Sequence, residues 1–215
     1  MLGQSLRFDW KYVHIISGED YPIVTNREIY DRFKNDEKSY ANYQHVKDKK
    51  NCANRRYRYY WPYTRFGWNY KNKITRILCL GTIAAQYLFI QRKRLGELEE
   101  IYWGFIWGDY HRASIECILR YFDFHKEFAR ALRWTKIPEE FAFQTILMND
   151  PIQRELLVNK TLRFWNWNRG DNSGPPYLIE TDLKDLDDRA EALFARKVKA
   201  SSTVLSELKV RSQHR

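Results

Sequence analysis

From Trp10 to Ile16 the chain alternates aromatic, β-branched and polar residues, a two-residue period that predicts a strand. Ser17-Gly18-Glu19-Asp20-Tyr21-Pro22 breaks that period with Gly and Pro and reads as a loop at the strand's C-terminal end. Thr25 followed by Glu28 makes a capping box, which predicts a helix to about Phe33. Asp36 to Asn72 is polar, basic and aromatic with no sustained period, and reads as irregular or short-stranded surface structure. Arg76 to Arg94 predicts a helix closed by Gly96. Its apolar stretch, Ile77 to Ile90, is interrupted by Gly81, Thr82 and Gln86. That is shorter than the roughly 20 residues a membrane-spanning helix needs, so a buried core helix is expected, with interfacial attachment as the alternative.

Glu100 to Trp107 has the aromatic character of a strand running into a turn at Gly108-Asp109. Ile115, Ile118, Leu119 and Phe122 recur at helical spacing. Pro138 opens another helix, with Glu139 and Glu140 placed against its dipole. A strand is expected around Leu162 to Trp165. Leu183 to Val198 reads as mostly helical, and the tail after Arg211 as frayed. With 215 residues the chain is expected to be one domain, 1–215, with a core over 10–198 and a C-terminal tail over 199–215.

Charge narrows the list of partners. The net charge of +10 favours an anionic one, whether nucleic acid, acidic lipid or a nucleotide diphosphate. The cations gather at Lys47, Lys49, Lys50, Arg55, Arg56 and Arg58, and again at Arg92, Lys93 and Arg94. Tyr57, Tyr59, Tyr60 and Trp61 interleave the first group, as on a single-strand platform. No nucleic-acid motif accompanies them, so a solvated basic face is expected and specific nucleic-acid binding is not. Cys52, Cys79 and Cys117 are odd in number and lack CxxC spacing, which argues against a disulfide framework or zinc and for a reducing compartment. His14, His45, His111, His125 and His214 have no ligand spacing, and no phosphate loop or nucleophile elbow occurs. Met1 to Phe8 has no apolar run of the signal-peptide kind.

Four blocks join apolar anchors to polar groups able to act. They are Ser17 to Pro22, Pro138-Glu139-Glu140-Phe141-Ala142-Phe143-Gln144-Thr145, Leu162-Arg163-Phe164-Trp165-Asn166-Trp167-Asn168-Arg169, and Leu193-Phe194-Ala195-Arg196-Lys197. In this order, from about Trp10 to Lys197, they resemble the family of core-2/I-branching N-acetylglucosaminyltransferases and peptide O-xylosyltransferases. Those enzymes move a sugar from a UDP-sugar to an acceptor hydroxyl. The resemblance implies an α/β, GT-A-type (Rossmann-like) domain acting by inversion with a single base. It also implies that the first βα units, which hold uracil and ribose, belong before Trp10, so the domain reads as N-terminally incomplete. The competing classes are an inactive remnant or a carbohydrate-binding module that uses an aromatic groove without turnover.

The resemblance assigns roles that spacing leaves open. By position alone, Glu139 and Glu140 complement a helix dipole, and Arg196-Lys197 is an ordinary basic helix end. The family's catalytic base maps onto Glu140 and its diphosphate contacts onto Arg196 and Lys197, with Val198 replacing the usual Phe. Trp167 and Arg169 match a stretch lining the acceptor groove, and Asn166-Trp167-Asn168-Arg169 looks closer to the xylosyltransferase branch. Glu19 and Asp20 sit at the carboxyl end of a predicted strand, where α/β sheets place ligands, and join the acceptor or sugar group. Asp185-Leu186-Asp187 has the letters of a manganese pair, yet reads as a solvated face beside Asp182 and Asp188. No metal is expected. The expected partners are a UDP-sugar donor and a glycan or protein acceptor, with peripheral membrane association open. The expected compartment is a bacterial-type cytoplasm, or a Golgi membrane for a eukaryotic member.

Overall fold

The computed structural model describes residues 7–47, 53–89, 100–168, 174–187 and 191–213. The chain divides into two units, one drawn from Asn42–Ile106 and Ala113–Leu157, the other from Asp9–Ala41, Trp107–Arg112 and Val158–Arg215.

The second unit carries most of the sheet structure. Strand β1 (Tyr12–His14) falls within the predicted strand and pairs antiparallel with β6 (Asp109–His111), His14 opposite Asp109. Strand β3 (Ser39–Ala41) pairs with the other edge of β6, and β7 (Leu157–Asn159) completes the order β1-β6-β3-β7. Asp109 is therefore a central strand residue with no exposure, not part of a turn. Two strands follow from pairing rather than local pattern. β2 (Asp20–Pro22) lies inside the expected loop because it pairs antiparallel with β9 (Phe194–Arg196), Asp20 opposite Arg196. Pro22 is tolerated there because β2 is the edge of the order β2-β9-β8 and needs no donor on its outer side. Strand β8 (Arg163–Phe164) runs parallel to β9.

Helix α1 (Asn26–Phe33) starts at Thr25 with both halves of the predicted capping box formed. The helix expected over Leu183 to Val198 is corrected: a short helix, Asp182–Asp187, precedes strand β9. Leu193-Phe194-Ala195 is a continuous apolar run buried throughout, as a strand covered on both faces requires. The tail over 199–215 is not simply frayed. Thr203–Gln213 is a helix whose Val204 and Leu208, one turn apart, join a core with Ile23, Phe33, Leu162 and Phe194.

In the first unit, β4 (Gln44–His45) pairs with β5 (Tyr102–Trp103). The helix Glu139–Asn149 lies along β5 and begins just after Pro138, as expected. Every residue from Phe141 to Met148 is buried, including Gln144 and Thr145. Backbone groups take up most of their hydrogen-bonding capacity, and Gln144 Oε1 has no partner among the described residues. Thr145 Oγ1 bonds the nitrogen and oxygen of Tyr102, Gln144 Nε2 donates to the Phe105 carbonyl at 2.7 Å, and Asn149 Nδ2 donates to the Glu100 carbonyl at 2.7 Å. Gly104 allows this approach, since a Cβ there would meet the Asn42 carbonyl oxygen at 2.0 Å.

The stretch expected to be irregular also contains helices Ala53–Arg58 and Pro62–Phe66. The apolar helix runs over Lys73–Phe89, and the remainder of its expected span, to Arg94 and Gly96, lies outside the described residues. It is not a buried core helix. Cys79, Ile83 and Gln86 are buried on one side, while Ile74, Ile77, Leu78, Leu80 and Leu88 are exposed. Ile83 joins a small cluster with Tyr59 and Trp61, and the Gln86 amide bonds both the nitrogen and the oxygen of Tyr60. Helix Arg112–Phe124 carries the expected apolar periodicity, with Ile115 and Ile118 buried, and a further helix, Lys126–Leu132, follows it. None of the described helices is long and apolar enough to cross a membrane.

Candidate active site

Glu140 stands in the first turn of its helix, in the first unit. Its side chain is 18 % exposed beside Phe141, which has no exposure. One carboxylate oxygen, Oε2, accepts from Arg56 Nη1 in a short contact and from Trp103 Nε1 at 2.7 Å. A guanidinium and an indole thus fix the position of the carboxylate. Glu139, its neighbour, is exposed. Sequence reasoning did not find Arg56 as a partner of Glu140. The two are 84 positions apart, and Arg56 looks like one of a run of surface cations.

Arg196, Lys197, Glu19 and Asp20 come together in the second unit. Pairing of β2 with β9 sets Asp20 across from Arg196, and Arg196 Nη1 donates to Asp20 Oδ1 at 2.8 Å and to Ser17 Oγ in a short contact. The Arg196 guanidinium carbon lies 3.6 Å from the centroid of the Trp107 ring, a close cation–π stack. Arg196 is 5 % exposed and Asp20 not at all, so this is a buried pair rather than the basic end of a helix. Arg196 Nε has no hydrogen-bond partner among the described residues. Lys197 is more open, with Nζ 3.4 Å from Glu19 Oε2. The Tyr177 hydroxyl donates to Glu19 and, with the Lys197 ammonium, outweighs partial burial to hold that carboxyl below its usual range.

Trp167 follows β8 and is 40 % exposed, and the adjacent Asn166 donates to Asp182 Oδ1 at 2.8 Å. Arg169 lies outside the described residues. The structure therefore has Glu19, Asp20, Trp167, Arg196 and Lys197 in one unit and Glu140 in the other. Among the described residues no three metal-competent side chains cluster. A cavity of about 600 Å³ in the second unit lies elsewhere, against β1 and α1, lined by Trp10, Tyr12, His14, Tyr30, Phe33 and Arg112 among others.

Beneath that cavity is a second buried charge pair that the motifs did not point to. Arg163 Nη1 donates to Asp109 Oδ2 at 2.7 Å and Nη2 to Oδ1 at 3.2 Å, while His14 Nδ1 lies 2.7 Å from Oδ1. Nη2 also reaches the carbonyls of Ile15 and Gly108, both at 3.1 Å. Burial would raise the Asp109 carboxyl, but the His14 hydrogen bond and the Arg163 charge prevail and hold it low.

Small sheets threaded with helices, with carboxylates and cations collected at strand and helix ends, fit the α/β glycosyltransferases. A model of the core-2/I-branching enzyme family matches residues 3–186, and the chain belongs to that family of glycosyltransferases. No curated protein matches the chain. The family resemblance read from the four blocks is borne out. The matched span takes in Glu19, Asp20, Glu140, Trp167 and Arg169 and ends before Arg196 and Lys197.

Proposed function

We propose that the chain is an inverting, metal-independent glycosyltransferase that moves N-acetylglucosamine or xylose from a UDP-sugar to a hydroxyl of a glycan or protein. The observation that carries this reading is the setting of Glu140, a carboxyl group at a helix start, largely shielded from water and fixed by Arg56 and Trp103. Glu140 takes the proton of the acceptor hydroxyl as the acceptor oxygen bonds to the anomeric carbon. The bond from that carbon to the diphosphate breaks on the opposite face, and UDP departs with the electron pair. Lys197 and Arg196 offset the negative charge that develops on the diphosphate. The partnerless Nε of Arg196 supports this, since a phosphate oxygen would satisfy it. Asp20 acts by holding Arg196, and Glu19, Trp167 and Arg169 contact the acceptor or the sugar.

The test is turnover with UDP-N-acetylglucosamine and UDP-xylose. Glu140→Gln keeps the size and helix position of the side chain, and it should lower the rate by about 10²–10⁴, the usual worth of a positioned base. Glu139→Gln, solvent-exposed in the same first turn, should cost little. UDP affinity in calorimetric titration should be unchanged in Glu140→Gln and about tenfold weaker in Lys197→Ala, the scale of one lost charge-assisted contact. Equal turnover in Glu140→Gln and the parent would remove Glu140 as the base.

A further inference from the structure

The helix Lys73–Phe89 has two unlike sides. Cys79, Ile83 and Gln86 recur at positions i, i+4 and i+7 and face the protein. The opposite side presents Ile74, Ile77 and Leu88, each between 68 and 69 % exposed, with Leu78, Leu80 and Tyr87 also exposed. No charged residue occurs from Ile77 to Phe89. The surroundings are strongly cationic. Between Asp48 and Glu97 the sequence has no acidic residue and twelve Lys or Arg, which outnumber the net +10 of the whole chain. Arg65, Lys71, Lys73 and Arg76 are exposed and have no carboxylate partner among the described residues. Phe66 and Trp68, just before the helix, are 57 % and 43 % exposed.

We propose that this helix face docks the chain onto an anionic lipid surface. A contiguous aliphatic face flanked by lysine, arginine and exposed aromatic side chains is what an interfacial helix requires: the apolar side enters the boundary of the acyl chains and the cations meet the headgroups. The apolar stretch from Ile77 to Ile90 is shorter than the roughly 20 residues needed to span a bilayer, and the Gln86–Tyr60 bonds hold one side of the helix to the protein. The charge pattern argues against a second copy as the occupant, since two acid-free cationic segments would oppose one another. Nucleic acid would meet the cations but leave the isoleucines and leucines uncovered. The proposal rests on residues separate from those of the transfer reaction and stands or falls independently of it.

Co-sedimentation of the full chain with vesicles of phosphatidylcholine, with and without phosphatidylglycerol, tests it. Binding is expected with phosphatidylglycerol and not with phosphatidylcholine alone. Ile77→Ser/Leu88→Ser, both exposed positions, should weaken vesicle binding at least about tenfold through lost apolar burial. Lys71→Gln/Lys73→Gln/Arg76→Gln should weaken it about fivefold for each cation removed. Retention on single-stranded RNA should fall in the triple variant and hold in the double one. Failure of the parent to bind anionic vesicles overturns the proposal. So does unchanged vesicle binding by Ile77→Ser/Leu88→Ser, which would mean attraction of any polyanion by charge alone. A parent dimer in analytical ultracentrifugation that the same double variant turns into a monomer would assign the face to a second copy instead.

Discussion

Arg163 and Arg196 are near twins: each is buried on a short strand, bonded to a buried aspartate, and without a partner for its Nε among the described residues. A motif singles out Arg196, whereas nothing local marks Arg163, because its partner Asp109 lies 54 positions back in what reads as a turn. Pairing of elements distant in sequence, not residue type, decides which charges are buried, strands for Arg163 and Asp109 and two helices for Arg56 and Glu140. Glu140 itself was legible through its motif. Asp109 should show its burial in acid. Its carboxyl titrates below the usual range when folded, so its contribution to stability is complete above the ordinary carboxylate pKa and is lost as pH falls through the lowered folded value. Asp109→Asn leaves Arg163 buried without its counter-ion, and should cost about 3–5 kcal/mol at neutral pH. Urea denaturation of parent and variant should give curves that converge as pH falls below about 4. A gap that stays constant with pH would rule out this role for the carboxylate.

At the scale of elements, α1 was readable to its cap because every determinant lies within its own sequence, from Thr25 to Phe33. Replacing that cap, Thr25→Ala, should destabilise the protein by about 1 kcal/mol, and Thr25→Ser by much less, in the same urea measurement. Equal losses for both would mean that the methyl group, not the hydroxyl, matters there. The helix Lys73–Phe89 was equally readable as a helix, but not its exposure, since an apolar run looks alike whether protein, lipid or nothing covers it. Strand β9 is hidden in the sequence because Asp182–Asp187 is helical and no local signal before Val198 marks the change to extended backbone. What makes Phe194 to Arg196 extended is the presence of β2 and β8 on either side, and both come from far away in the chain.

For the whole molecule, the path of the chain matters most. The first unit is built mainly from the middle of the chain, Asn42–Ile106 with Ala113–Leu157, whereas the second joins Asp9–Ala41, a short piece of the middle, and the end. A chain stopped after Glu191 would lose β9 and the helix Thr203–Gln213, and with them the partners of β2 and α1. Amide hydrogen exchange should then show protection lost at Ile23, whose N–H donates to the Leu193 carbonyl, and at Asn26–Phe33, but kept at Glu139–Asn149. Retained protection at Asn26–Phe33 would show that α1 does not depend on the C-terminal core. During synthesis the same arrangement sets a waiting time. Pro22 and Phe194, opposite one another across β2 and β9, are 172 positions apart (194 − 22), so at about 5–20 residues per second β2 waits on the order of ten to thirty seconds for its partner. Throughout that interval the apolar side chains of Ile23, Val24 and Phe33 have no core to enter, which makes the nascent N-terminal segment a client for chaperones.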